Sequence, residues 1–130
     1  YGTLDTDAID WVTEDDDFDF GGAAEERLLA SIGFTDTDWR SDGYHVRLRE
    51  AKERLGLEIV FYSHLDYSMH ALAAHVIEQD WSEGPVLDLP ALTALPEANG
   101  WDAKLAAAIE ALGMTPTQTR PGWILVAEYG

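Results

Sequence analysis

The chain has no cysteine, which excludes a disulfide framework, a thiolate nucleophile and cysteine-ligated zinc. Basic charge is scarce as well. Eight lysines and arginines stand against 25 aspartates and glutamates, a formal net charge of −17 over 130 residues. Lys52 and Lys104 are the only lysines. A free-standing binder of DNA or RNA needs a basic footprint to neutralise phosphates, so direct nucleic-acid binding is excluded. An anionic membrane surface is disfavoured on the same ground. Long apolar runs are missing too; among the longest is Ile124 to Ala127, so no bilayer span is predicted. No secretory signal is visible and a cytoplasmic location is expected, although the chain opens at Tyr1, which leaves room for an upstream segment.

What is present is a folding composition. Hydrophobic residues make up 46% of the chain and there are five tryptophans, which separates it from acidic disordered tails. Its length predicts one domain over 1–130. The negative charge is lopsided. Residues 1–42 carry a net −11, 43–63 a net +1 and 64–130 a net −7. It is densest in an expected loop over 14–20, Glu14-Asp15-Asp16-Asp17-Phe18-Asp19-Phe20. A like-charge run is ordinarily a solvated loop, but Phe18, Phe20 and the nearby Trp11 add aromatics, which interfaces favour.

Periodicity gives a coarse map. Asp7 to Val12 reads as a short strand. Gly21-Gly22 release the chain into a helix over Ala23–Ile32, with Ala24, Leu28, Leu29 and Ile32 inward. Its first turn carries Glu25 and Glu26, Gly33 stops it, and Phe34 is its clasp. After the turn 35–43, Tyr44, Val46 and Leu48 alternate with His45, Arg47 and Arg49, which favours a strand over 44–50. The competing reading is a helix, since Glu50 to Leu55 are helix formers that Gly56 could cap. Leu57 to Ser63 is the stronger strand. A helix is predicted from Asp66 or Ser68 to about Gln79, and residues 80–99, with Pro85, Pro90 and Pro96, read as an ordered connection. A further helix opens at Asp102, with Trp101, Leu105, Ala108, Ile109 and Leu112 inward, Gly113 as stop and Met114 as clasp. Trp123 to Glu128 is apolar enough for a central strand. The order β-α-β-β-α-(α)-β predicts an α+β domain in which about four antiparallel strands carry two to three helices on one face, a ferredoxin-like variant.

No motif names an activity. His64, Asp66 and His70 fall within seven residues, and on the predicted helix Asp66 and His70 share a face, a spacing that suits a metal or general base. The bland alternative makes Asp66 a helix cap and His70 a flanking polar residue. His75 adds nothing, lying about 140° around a helix from His70. Asp15, Asp17, Asp19 and Glu26 match part of a calcium loop, but Phe20 stands where that loop needs glycine and Gly22 where it is apolar. There is no nucleophile elbow, phosphate-cradling loop or dinucleotide fingerprint, and no cofactor is implied. Among the tryptophans, Trp101 and Trp123 fit buried positions, and Trp39, between Asp38 and Arg40, is expected to be exposed.

Three functions compete. The leading expectation is a non-enzymatic acidic protein that docks on a basic protein surface, as an inhibitor or immunity protein, or as a nucleic-acid-mimicking decoy. Its partner would be a nuclease, a toxin or a nucleic-acid-binding protein, and concentrated negative charge would steer the encounter. Small acidic immunity proteins and decoys share this size and charge, a likeness of composition alone. The expected binding residues are Trp11, Glu14, Asp15, Asp16, Asp17, Phe18, Asp19, Phe20, Asp36, Asp38 and Trp39, with the aromatics as anchors. The second reading is adaptation to a saline cytosol, in which the charge is solvation; aspartate outnumbering glutamate and the scarcity of lysine fit it. The third is a small enzyme or ligand sensor using His64, Asp66 and His70, with Tyr62 and Tyr67 beside them.

Overall fold

A computed structural model describes residues 4–5, 9, 11–12, 18–64, 67–80, 82, 84 and 86–126. The class is α+β, with elements in the order β1 (Leu4–Asp5), α1 (Phe20–Ser31), α2 (Tyr44–Leu55), β2 (Glu58–His64), β3 (Tyr67–Ala73), α3 (Leu89–Asn99), α4 (Trp101–Leu112) and β4 (Thr115–Pro116). Among the described residues the strands form two antiparallel pairs, β1 with β4 and β2 with β3. In the first, Leu4 faces Pro116; in the second, Glu58 faces Ala73 and Phe61 faces His70.

Two helices end as their sequences predict. At the end of α1, Gly33 takes a φ of 92°, and the Phe34 amide donates back to the Leu29 carbonyl at 3.0 Å. After α4, Gly113 takes a φ of 66° and the Met114 amide donates to Ile109 at 3.2 Å. Both are left-handed terminations that a Cβ would strain, each with an apolar residue folded back onto the helix. At its other end α1 starts three residues before the predicted Ala23. Asp19 is the cap, its carboxylate accepting from the Gly22 amide at 3.1 Å. Glu25 and Glu26 therefore sit past the first turn.

Elsewhere the structure corrects the sequence reading. Residues 44–55 are one helix, not a strand and a turn. Tyr44, Leu48, Ala51 and Leu55 repeat at helical spacing with Ala51 and Leu55 buried, and Gly56 closes the helix at a φ of 65°. Six charged residues in this stretch are good helix formers, and their propensity outweighs a short alternation. The helix predicted from Asp66 or Ser68 is instead strand β3. The backbone of β2 needs a hydrogen-bonding neighbour, and with Leu65 and Asp66 between the strands in sequence the nearest one is the segment that follows. Residues 89–99, read as connection, form α3, capped by Asp88 accepting from the Ala91 amide at 3.1 Å. Pro90 lies in the first turn, where no amide proton is required, and Pro96 is carried inside the helix.

The strand predicted at 123–128 is absent over 123–126, and residues 127–128 lie outside the described set. Its composition favours a strand, but composition supplies no edge to pair with. Of the strand predicted at 7–12, residues 9, 11 and 12 are not strand and 7, 8 and 10 lie outside the described residues; β1 lies just upstream. The predicted sheet of about four strands is thus seen as two pairs, and four helices replace the expected two to three.

The buried cluster joins Phe20, Ala24, Leu28 and Leu29 of α1 to Ala51 and Leu55 of α2, Leu57, Leu72 of β3, Leu105, Ala108 and Leu112 of α4, and Met114. Leu28, Leu72 and Leu112 are its fully enclosed large side chains. Burying one such leucine contributes roughly 1.5–3 kcal/mol. In contrast, α3 buries no residue fully. No helix among the described residues is long and apolar enough to cross a membrane.

Candidate functional site

The residues expected to bind separate into three groups. Glu14, Asp15, Asp16 and Asp17 lie outside the described residues. Trp11, Phe18 and Phe20 turn inward. Asp36, Asp38 and Trp39 sit together on a surface loop.

The inward group is structural. Phe20 is 8% exposed, and Trp11 and Phe18 pack half-buried against the same core. The Trp11 indole stacks on Phe20 at 5.5 Å and 15° and donates to the Leu112 carbonyl at 2.8 Å. That carbonyl ends α4, one of the orphan acceptors of a helix C-terminus. The Arg27 guanidinium covers the indole ring at 4.9 Å. These rings close the N-terminal segment onto α1 and α4, so they do not serve as exposed anchors. Asp19, next to them, is occupied as the cap of α1.

The outward group lies between α1 and α2 and is organised by one arginine. Arg47, on the first turn of α2, donates through Nε (3.1 Å) and Nη2 (2.8 Å) to Asp36 Oδ2. Its Nη2 also reaches Ser41 Oγ at 2.8 Å, and its Nη1 reaches the Asp42 carbonyl at 2.9 Å. The other Asp36 oxygen accepts the Asp38 amide at 3.0 Å, and Ser41 Oγ donates to the Asp38 carbonyl at 2.8 Å. The Arg47 hydrogen bonds and the Asp38 amide hold the Asp36 carboxyl below the usual carboxylate range. At the crest stands Trp39, 61% exposed, with the Arg40 guanidinium 4.7 Å from its ring centre. Asp38 and Asp42, on the same loop, are exposed as well. A shallow groove borders the loop, lined by Phe34, Asp36, Arg47, Glu50, Glu53 and Arg54.

The helix expected to carry the histidine corner is a strand, and the side chain of His64 lies outside the described residues. The corner's logic required Asp66 and His70 on one helix face, and Tyr67–Ala73 is a strand. Asp66 lies outside the described residues. The His70 ring is edge-on to Phe20 at 4.7 Å and to Phe61 at 5.5 Å. Burial lowers its pKa, opposed by the charge of Asp19, an environment suited to a neutral packed imidazole. Among the described residues no group of three or more His, Asp or Glu could hold a metal.

Two features escaped the sequence reading. The role of Arg47 is hidden in a segment whose alternation predicts a strand; the Asp36 to Arg47 separation across Gly43 becomes informative only once α2 is a helix. The other is a surface ring cluster in which His75 stacks on Trp101 (5.5 Å, 18°) and Trp123 stands edge-on to both. Trp101 is half-buried and Trp123 is 49% exposed, so neither takes the fully buried position expected. No family model, curated protein or solved structure matches the chain.

Proposed function

We propose that this protein is a non-enzymatic acidic binding protein that docks on a basic protein surface, in the manner of an inhibitor, an immunity protein or a decoy of nucleic acid. The observation that carries the reading is Trp39, exposed at the crest of a loop held by Arg47 that also carries the carboxylates of Asp38 and Asp42. Tryptophan gives an interface large contact area at small entropic cost, and exposed acids on the same loop complement a cationic partner. The docking residues are then Asp36, Asp38 and Trp39, with Asp42 added to the acidic run Glu14, Asp15, Asp16 and Asp17; Trp11, Phe18 and Phe20 support the fold. The long-range field of the −17 chain supplies the encounter rate.

Binding to a panel of basic nucleases across a salt titration tests this. Affinity should fall steeply with salt, and Trp39→Ala should weaken binding by about 2 kcal/mol while leaving the melting temperature unchanged. Affinity indifferent to salt, or to Trp39, would sink the reading.

Salt adaptation is the second reading, favoured by acids scattered over α1, α2 and α4 against just two ion pairs among the described residues, Arg47–Asp36 and Lys52–Glu25. Strong stabilisation in molar salt with no basic partner would favour it. We also infer that the two strand pairs are halves of one sheet in the order β4-β1-β3-β2, the ferredoxin-like arrangement with each crossover helix doubled. The placement of β1 against β3 supports this.

A further inference from the structure

Outside the Trp39 loop, the most distinctive surface is the segment 121–126. It has no secondary structure, and among the described residues no backbone hydrogen bond involves 119–126. Its side chains are apolar and exposed, Ile124 at 43%, Leu125 at 99% and Val126 at 43%. It is not loose at its start, because Trp123 is seated on His75 and Trp101. An anchored, β-prone segment whose amides and carbonyls have no backbone partner among the described residues resembles an unpaired sheet edge, a surface that proteins ordinarily cover or blunt.

Charge says what covers it. Between Glu110 and Glu128 there is no acidic residue, the longest such gap in the chain, and Arg120 lies within it. A highly acidic molecule repels its own copies least where its own acids are sparse, and this stretch of chain carries none. The segment is also self-complementary. In an antiparallel pairing centred on Ile124, Trp123 of each copy falls opposite Leu125 of the other. We propose that this segment is a homodimer interface, in which residues 122–126 of two copies pair as antiparallel strands about a two-fold axis. The contact is isologous, so it closes at two copies. It is small, which places it among weak, concentration-dependent associations.

Sedimentation of the intact chain from about 5 to about 500 μM, at roughly 0.1 M and 1 M salt, tests the proposal. The dimer fraction should rise with concentration, and rise further in salt, which screens the repulsion between copies. Leu125→Asp, at a position that contributes nothing to the core, should weaken association about tenfold or more by placing a carboxylate in the apolar pairing. At low salt Arg120→Glu, which puts an acid into the acid-free stretch, should weaken it by roughly fivefold. A chain that stays monomeric throughout overturns the proposal, as does a dimer indifferent to Leu125→Asp. Slow amide exchange over 124–126 in a monomer would also overturn it, by showing the segment docked on its own sheet.

Discussion

Trp11 and Trp39 begin with the same credentials. Each lies in an acidic stretch, and each has an arginine guanidinium over its ring at under 5 Å, Arg27 and Arg40. Their fates differ because of what surrounds the ring. Trp11 finds a facing aromatic in Phe20 and a terminal helix carbonyl for its indole N–H, so both its apolar body and its polar edge are satisfied inside. Trp39 is lifted by a loop whose hydrogen bonds run to Arg47 beneath it, and its ring stays in water. An acidic neighbourhood therefore says little about whether an aromatic is an anchor; the presence of an inward partner decides it.

Removing each tryptophan gives the widest contrast. Trp11→Ala should destabilise the fold by about 3 kcal/mol in denaturant titration, and Trp39→Ala by less than about 0.5 kcal/mol. Equal losses would erase the distinction. The start of α1 offers a finer test on the structural side. A Cβ at Gly22 would collide with the capping carboxylate of Asp19, whereas one at Gly21 meets it only at an ordinary 3.6 Å. Gly22→Ala should therefore cost about 1 kcal/mol through the lost cap, while Gly21→Ala should gain about 0.5–1 kcal/mol of helix propensity.

His70 adds a pH dependence to the same region. Its folded pKa is depressed, chiefly by burial, so the unfolded chain takes up the proton first as pH falls. The stability tied to the neutral ring is complete above roughly pH 6.5 and is lost as pH drops through that value toward the folded pKa. Melts of the parent and His70→Gln should converge over that window, and an NMR titration should place His70 below an unperturbed histidine; a parallel pH course in the two would refute the assignment. The smallest effect is expected at Lys52→Ala, which breaks the exposed 3.0 Å pair with Glu25 and should change stability by less than about 0.5 kcal/mol.

The sequence was most legible where local chemistry decides the outcome. Gly33-Phe34 and Gly113-Met114 declare the ends of α1 and α4 because a left-handed glycine followed by an apolar residue needs no distant contact. It was least legible where a tertiary partner decides. Leu65, Met69, Leu72 and Val76 carry helical spacing, yet the unmet hydrogen bonds of β2 draw Tyr67–Ala73 into a strand. The opposite error fell on Tyr44–Leu55, where three alternating residues masked a run of helix formers. The site was half legible: Asp36, Asp38 and Trp39 could be read as an acidic aromatic turn, but the arginine that fixes them comes from the misread helix.

The Trp11 indole bond to Leu112 joins residues 101 positions apart, and β1 with β4 ties the chain at nearly the same span. Closing so long a loop costs conformational entropy that only later contacts repay. The β2–β3 hairpin and the helices, built from neighbours, can form first. The seam between the two ends of the chain then closes last, so Trp11→Phe should speed unfolding while leaving the folding rate nearly unchanged.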